Sequence, residues 1–240
     1  DEILGGGIPF GRIVEVFGVE SGGKTTISLH IINSALKQLP KKGVAFIDAE
    51  HSLNPLYAQS IGIDLSKVII AQPDYGEQAL DILEELIRSG DISVVVVDSV
   101  AALTPKAEIE GEMSDAHIGR QARMMGQALR KITSIVAKTN TIVIFVNQLR
   151  EKIGVMFGDN SVTPGGKALK FYSSIRLDVR NIGREKKTIK GVETVIGQNT
   201  RIETKKNKTF PPFKKCEIYL SFGEGVIEKE KKNEKTAKKK

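Results

Sequence analysis

The chain has 240 residues, of which 40% are hydrophobic and 27% are charged, and this composition suits one globular domain with a sizeable buried core. No run approaches the roughly 20 apolar residues of a membrane-spanning helix, and the single cysteine, Cys216, excludes an intrachain disulfide and favours the reducing cytoplasm. The segment 228–240 holds seven Lys and three Glu and therefore carries +4 of the net charge of +7. We predict that this segment is a disordered Lys-rich tail, so any interpretation of DNA binding must rest on the folded part.

The first predicted strand, Ile13–Phe17, leads into a loop of the pattern G-x-x-x-x-G-K-S/T, and a helical pattern follows it. The backbone N–H groups of such a loop surround nucleotide phosphates, its lysine reaches the β- and γ-phosphates, and its hydroxyl is a ligand for Mg²⁺. With a strand before it and a helix after it, this segment predicts a nucleotide site rather than a glycine-rich turn with a chance lysine. The predicted contacts here are Gly18, Val19, Glu20, Ser21, Gly22, Gly23, Lys24, Thr25 and Thr26.

Further along the chain, short β-branched runs alternate with helical patterns. The runs at 44–48, 93–98 and 141–146 are apolar on both faces, and helical stretches lie near 54–61, 76–89 and 119–138. Strands buried on both faces belong to a parallel sheet covered by helices, so we predict a three-layer α/β domain. Past residue 172, alternating segments at 175–179, 192–205 and 216–222 predict antiparallel strands toward the C-terminus.

Polar side chains stand where these predicted strands end. Asp98 could hold Mg²⁺ beside Thr25, although a strand-end aspartate also caps loops. Glu50 could orient and deprotonate the water that attacks a γ-phosphate, but Asp48 is a rival, and strand alternation turns both the same way, so that spacing does not choose. Gln148 could bond the γ-phosphate and begin a loop that senses it.

Two stretches inside the core sequence, 108–117 and 149–166, lack clear periodicity. Each follows a predicted strand on its C-terminal side, where ligands bind in open α/β sheets. Long irregular loops in a compact domain are usually functional or disordered. We therefore expect them to belong to the functional surface.

Several long strings of residues carry a family resemblance. The segments 18–25, 45–51, 97–111, 152–158, 168–172 and 223–225 closely resemble the RecA family of bacterial homologous-recombination ATPases. The resemblance covers residues 1 to about 227 and implies a RecA-like P-loop NTPase core over 1–227. It also implies that the family's N-terminal oligomerisation segment and C-terminal domain are missing from this chain.

The resemblance implies an ATP-dependent recombinase. Members of this family bind Mg²⁺·ATP between the subunits of a helical filament on single-stranded DNA. The filament pairs with homologous duplex DNA and promotes strand exchange in repair. Such filaments also promote self-cleavage of LexA-type repressors in the SOS response to DNA damage.

The resemblance also assigns roles at the nucleotide. Glu50 is the implied catalytic base, Gln148 the γ-phosphate sensor and Tyr57 the aromatic packed on adenine. Asn54 and Phe222 stand near the nucleotide where the family usually has Asp and Tyr. The implied catalytic set is Lys24, Glu50, Gln148, Lys206 and Lys208, and the implied ligands of Mg²⁺ are Thr25 and Asp98.

Lys206 and Lys208 match the lysines that reach the neighbouring subunit's γ-phosphate. They would act as an arginine finger does: the neighbouring subunit supplies the positive charge, so hydrolysis depends on assembly. Without the resemblance, the residue pattern would favour another interpretation, in which these lysines are the basic end of an ordinary strand.

The two irregular stretches match the family's DNA-binding loops. Basic side chains and exposed glycine N–H groups give salt-sensitive contacts to phosphates. Met156 and Phe157 either pack on bases or bury against the domain. Ile118 and Gly126 stand where the family has Met and Ser. The predicted DNA contacts are Arg123, Arg130, Arg150, Lys152, Met156, Phe157, Gly165, Gly166 and Arg176.

Two rival interpretations stay open, and the first of them follows from the missing terminal segments. The first is a nucleotide- and DNA-binding protein without efficient filament formation or turnover. The second is a repair-linked paralogue of helicase or regulatory type, which the intact loop sequences disfavour.

Overall fold

The computed structural model describes residues 1–112, 119–151, 161–189 and 191–227. The helices are α1 (Lys24–Gln38), α2 (Pro55–Ser60), α3 (Gly76–Ser89), α4 (Lys106–Ile109), α5 (Arg120–Thr139) and α6 (Ala168–Tyr172). The strands are β1 (Ile13–Gly18), β2 (Gly43–Asp48), β3 (Val68–Ala71), β4 (Ile92–Asp98), β5 (Ile142–Gln148), β6 (Arg150–Glu151), β7 (Ser161–Val162), β8 (Ile175–Ile189), β9 (Val192–Asn207), β10 (Lys215–Ser221) and β11 (Gly225–Ile227). The predicted tail, 228–240, lies outside the described residues, and the boundary of the predicted core at residue 227 stays a prediction.

Within the described residues, nine strands form one sheet in the order β11-β10-β9-β8-β1-β5-β4-β2-β3. The strands from β8 across to β3 pair in parallel, whereas β9, β10 and β11 continue the sheet with antiparallel pairing. This arrangement confirms the predicted mostly parallel sheet with antiparallel strands toward the C-terminus.

The hydrophobic core lies on both faces of the sheet. Along β2, Val44 and Phe46 pack in one cluster with side chains of α1 and α2. Ala45 and Ile47 pack in a second cluster with side chains of α3, α5 and α6. Parallel strands between two helix layers need such two-sided burial, so the predicted three-layer α/β fold is confirmed. In the described part of the chain, no helix combines the length and the apolarity needed to cross a bilayer.

Helices α2, α3 and α5 begin and end within one residue of their predicted bounds. Capping residues close to each end in the sequence explain this agreement for α2 and α3. The Asn54 side chain accepts a hydrogen bond from the Tyr57 N–H at 3.2 Å, and Pro55 takes the first helical position of α2. Helix α3 ends at Gly90, whose φ of +76° is the left-handed conformation that glycine adopts without strain.

Several short elements, among them α4, were not predicted. The strands β3 and β11, the ribbon of β6 with β7 and the helix α6 each have five residues or fewer, too few to show a hydrophobic period. The stretch 149–166, predicted to be irregular, therefore begins and ends in paired backbone, with Arg150 opposite Val162. The stretch 108–117 begins in the last turn of α4, so its first residues are helical.

A buried ion pair joins β1 to β8 in the middle of the sheet. The Glu15 side chain is fully buried, and one of its carboxylate oxygens accepts a hydrogen bond from the Arg176 Nε. The other oxygen accepts from the Asn147 Nδ2 at 3.1 Å, and the Arg176 guanidinium also lies 4.4 Å from the centre of the Phe17 ring. The pair is thus charge-assisted and nearly dry, and its stability depends on both partners.

We expect Arg176→Met to lower the free energy of unfolding by about 3–5 kcal/mol, because it leaves the Glu15 carboxylate buried without its cation. The matched control is Arg201→Met, which breaks an Arg–Glu pair with Glu217 whose side chains are 45% and 57% exposed. That change should cost less than about 1 kcal/mol. Denaturant unfolding measures both, and equal losses would contradict the assigned role of the buried pair.

Candidate functional site

The loop between β1 and α1 is packed so closely that its glycines are needed for the fold as well as for a ligand. A Cβ on Gly18 would lie 2.0 Å from the Val179 carbonyl oxygen, and one on Gly22 would lie 2.9 Å from it. Gly23 has a φ of +99°, and its Cβ would lie 2.2 Å from the Leu220 side chain. Strands β8 and β10 therefore support the loop from behind.

Strand β9 holds the carbonyl groups of this loop. The Gln198 Nε2 donates to the Ser21 carbonyl at 3.0 Å, and the Thr200 hydroxyl donates to the Gly22 carbonyl at 3.3 Å. Both side chains are buried. Because C=O and N–H point in opposite directions across a trans peptide, the N–H groups that follow these carbonyls are directed away from β9. The loop can then present them to a phosphate, as its sequence predicts.

Lys24 opens α1 with only 8% of its surface exposed, and its ammonium donates to the Val19 carbonyl at 2.7 Å. Burial lowers the pKa of the Lys24 amine, and the carboxylates of Asp98, Glu50 and Glu20 oppose that shift. The lysine is thus held at the loop, among acidic groups that favour its charged form.

A hydroxyl and a carboxylate meet at the predicted Mg²⁺ site. The Thr25 Oγ1 donates to the Asp98 Oδ2 at 2.6 Å. Asp98 is 2% exposed, and burial raises its pKa to about 6 against the opposing hydrogen bond from Thr25. The two side chains offer adjacent oxygen ligands of the kind that Mg²⁺ takes when a nucleotide and water complete its shell. The residues present therefore fit this ion.

Glu50 stands exposed next to this pair and is held at one oxygen. Its Oε1 accepts hydrogen bonds from the Ser99 hydroxyl and, at 2.9 Å, from the Gln148 Nε2. Ser99 directly follows Asp98, and Gln148 ends β5. The carboxylate is thus oriented by two neighbouring strand ends, as a general base must be.

Asp48, the rival of Glu50, is fully buried and accepts three hydrogen bonds. They come from the N–H groups of Ser52 at 3.0 Å and Leu53 at 3.2 Å, and from the Gln72 amide at 3.1 Å. Strand β2 ends at Asp48, so the strand alternation assumed from the sequence does not reach Glu50. These contacts give Asp48 a structural role and leave Glu50 to face the site.

A cleft of about 350 Å³ continues from the phosphate loop toward two aromatic rings. The Tyr57 hydroxyl lies 3.1 Å from the Thr26 hydroxyl, and Phe222 is 52% exposed. Asn54, which the resemblance placed near adenine, caps α2 with its side chain. The cleft is lined by Ser21, Gly22, Gly23, Lys24, Thr25, Thr26, Tyr57, Gln198, Leu220 and Phe222.

Lys206 lies at the C-terminal end of β9, where it pairs with Arg176 of β8, and Lys208 follows that strand. Lys206 stands six residues beyond Thr200 on β9, about 20 Å along an extended strand. Its ammonium donates to the carbonyls of Lys170 at 2.9 Å and Phe171 at 3.0 Å in the last turn of α6. Burial, Lys208 and Arg176 lower the pKa of the Lys206 amine. Lys208 has an exposed side chain.

The predicted DNA contacts fall into three groups. Arg123 and Arg130 on α5 and Arg150 on β6 are exposed, as is Gly166. Lys152, Met156 and Phe157 lie outside the described residues, as does Ile118. The other two, Gly165 and Arg176, have internal partners.

The Gly165 N–H donates to the Gln121 Oε1 at 3.1 Å, and the Arg176 guanidinium binds Glu15 with its side chain 11% exposed. Neither group is presented to solvent as the prediction assumed. Their proposed contacts with DNA stay predictions, and these partners argue against them.

Sequence reasoning missed the side chains that support the site. Ser99 was signalled by its place directly after Asp98. Gln198, Thr200 and Leu220 had no such signal, because they reach the loop from strands about 180–200 residues further along the chain.

Comparison with known proteins gives one family. The model of the RecA N-terminal domain matches residues 1–227. The protein RecA of Heliobacterium modesticaldum is 57% identical over 227 residues, which are 94% of this chain and 64% of that protein. The RecA proteins of Clostridium novyi and Clostridioides difficile are each 58% identical, over 92% of this chain and 61% and 62% of their own lengths. The chain thus spans about three fifths of the length of these relatives.

The raised pKa of Asp98 predicts that this group lowers the stability of the folded chain as the pH rises. The folded chain binds this proton more tightly than the unfolded chain, whose aspartates titrate near pH 3.9, so stability falls as the pH rises from about 4 to about 6. Asp98→Asn should therefore raise the melting temperature of the nucleotide-free protein at about pH 7.5, and this gain should shrink as the pH approaches about 4.5.

Thermal unfolding across this pH range measures the effect, with Asp91→Asn as the control because Asp91 is an exposed aspartate. The control should show the same small difference at every pH. A gain in Asp98→Asn that does not change with pH would contradict the assignment.

Proposed function

Because the chain belongs to the RecA family, we propose that it is the ATPase core of a DNA recombinase. In this proposal it binds single-stranded DNA as a filament and hydrolyses ATP at subunit interfaces. It thereby promotes pairing with homologous duplex DNA and strand exchange in DNA repair. The observation that carries the proposal is Glu50, held by Ser99 and Gln148 beside the Thr25–Asp98 pair.

The chain's own residues divide the work of hydrolysis. Mg²⁺·ATP, when bound, supplies the γ-phosphoryl group and neutralises part of its charge. The phosphate loop and Lys24 bind the phosphates, while Thr25 and Asp98 hold the ion. Glu50 orients the attacking water and accepts its proton. Tyr57 and Phe222 flank the adenine ring of the nucleotide at the far end of the cleft.

Gln148 connects the Glu50 carboxylate to the second of the two candidate DNA loops, the stretch 149–166. Its amide donates to Glu50, and the chain continues directly into β6 at Arg150. A γ-phosphate that draws the Gln148 amide away from Glu50 would move both the Glu50 carboxylate and the first residues of that loop. Such a change is an order–disorder or positional switch of a known type.

Lys206 and Lys208 complete the site of a neighbouring chain. Lys206 stands six residues beyond Thr200, which contacts the phosphate loop, and Lys208 two residues further, so in this proposal both lysines act at the site of a neighbouring chain. Two carbonyls of α6 hold the Lys206 ammonium in place. Hydrolysis then requires that subunits assemble head to tail, which is the logic of a catalytic cation supplied in trans.

Exposed arginines supply the DNA surface in this proposal. Arg123 lies in the first turn of α5, after the first loop, Arg130 lies two turns further along that helix, and Arg150 stands at the start of the second loop. Contacts of this kind are salt-sensitive and largely independent of sequence. A role in the self-cleavage of LexA-type repressors rests on the family resemblance alone.

We expect Glu50→Gln to lower the rate of ATP hydrolysis in the presence of single-stranded DNA by about 10²–10⁴-fold, because the variant lacks a general base. Its nucleotide affinity and melting temperature should stay close to those of the parent. Asp48→Asn is the matched control, since it neutralises the adjacent carboxylate that faces the core. It should instead lower the free energy of unfolding by about 1–3 kcal/mol through weakened buried hydrogen bonds.

Phosphate release and denaturant unfolding separate the two effects. The opposite pattern, with Asp48→Asn inactive and Glu50→Gln active, would overturn the assignment of the base. A parent protein that binds nucleotide and DNA but shows no DNA-stimulated hydrolysis would favour the alternative, a binding protein without turnover.

A further inference from the structure

The side chain of Gln121 joins three segments of the chain. It lies in the first turn of α5, and its Nε2 donates to the carbonyls of Val100 at 2.9 Å and Leu103 at 3.1 Å. Its Oε1 accepts from the Gly165 N–H at 3.1 Å. Both amide hydrogens and one lone pair are thus used, which fixes the position of the amide on all three sides.

Each of these partners belongs to a functional segment. Val100 and Leu103 lie in the turn that directly follows Asp98 and Ser99. Gly165 closes the second candidate DNA loop, and α5 begins where the first one ends. Gln121 therefore connects the ends of both loops to the strand end that holds the Mg²⁺ carboxylate and the partner of Glu50.

The packing around this amide is tight. A Cβ on Gly165 would lie 2.8 Å from the Val100 side chain, and one on Gly166 would lie 2.7 Å from the Ala122 Cβ. Both glycines have a positive φ, of +82° and +75°. A close-packed contact of this kind transmits displacement rather than absorbing it. A shift at the end of the second loop would thus reach the turn after Asp98.

The second loop is also tied to the catalytic edge at both of its ends. The Asn147 amide donates to the Pro164 carbonyl at 3.2 Å, and the Gln148 amide donates to Glu50. The route through Gln148 reaches Glu50 directly. The route through Gln121 reaches Ser99 and Asp98 through the backbone, and it is the one that also includes α5.

We propose that Gln121 is a positioning residue that couples the two candidate DNA loops to the nucleotide site. The inference rests on the proposed function, since it concerns how DNA and nucleotide influence each other in that site. Gln121 contacts neither ligand. It keeps the Val100–Leu103 turn, the start of α5 and Gly165 in one arrangement, so that a change at the loops moves Ser99 and Asp98 together.

Coupling between two ligands is reciprocal, so it can be measured as an effect of nucleotide on DNA affinity. The probe is a fluorescein-labelled single-stranded oligonucleotide, and its anisotropy is followed on titration with the intact protein. The coupling ratio is the dissociation constant with Mg²⁺·ADP divided by that with a slowly hydrolysed Mg²⁺·ATP analogue. A change that only loosened the fold would lower affinity in both nucleotide states and leave this ratio unchanged.

Gln121→Leu removes all three hydrogen bonds at a similar side-chain volume. We expect its coupling ratio to fall at least about fivefold, with DNA affinity in ADP within about twofold of the parent. The matched control is Gln127→Leu on the same helix, where the glutamine is exposed. Its ratio should equal that of the parent.

Gln121→Glu serves as the second variant in case Gln121→Leu does not fold. Its carboxylate can still accept from Gly165 but cannot donate to the two carbonyls, so the ratio should fall while the Gly165 amide stays protected from hydrogen exchange. If either folded variant keeps the parental ratio, the proposal is overturned. A parent that binds no oligonucleotide in either nucleotide state would instead overturn the proposed function, and this inference with it.

Discussion

In-register parallel pairing of β1, β5, β4 and β2 is the constraint on which the site depends. Gly18 lies opposite Gln148, and Asp48 lies opposite Asp98, so these strands end along one edge of the sheet. Backbone hydrogen bonds between the strands thus bring together the phosphate loop, the Gln148 amide and the carboxylates. A slip of one residue would turn each of these side chains to the opposite face.

This edge holds polar groups in a largely apolar interior, and each group is stabilised differently. Asp48 is satisfied by three donors, and Glu15 deeper in the sheet is satisfied by Arg176 and Asn147. The Asp98 carboxylate accepts a hydrogen bond from the Thr25 hydroxyl, and burial raises its pKa, which indicates a carboxylate that is costly to keep charged without a cation. Under the proposed function, binding of Mg²⁺ would relieve that cost.

The sequence predicted the layers of the fold and the elements of the phosphate site, because long periodic segments and a spaced motif are local signals. It did not separate Asp48 from Glu50, since that choice depends on where β2 ends and on which donors the next turn supplies. It also missed Gln198 and Thr200, whose contacts with the loop depend on the sheet order. The resemblance assigned Gly165 to DNA, and the sequence did not indicate its partner Gln121, which lies 44 residues away along the chain.

The central claim is that one chain holds only part of a hydrolytic site, since Lys206 and Lys208 stand at and just beyond the C-terminal end of β9, six and eight residues past Thr200, which contacts the phosphate loop. Mixing two inactive variants on single-stranded DNA tests it most directly. One is Glu50→Gln, and the other carries Lys206→Ala with Lys208→Ala. In a head-to-tail array of an equimolar mixture, about one quarter of the interfaces combine an intact Glu50 with a neighbour's intact lysines. The account predicts that hydrolysis returns to about that fraction of the parental rate. A mixture that stays as inactive as its components would contradict it.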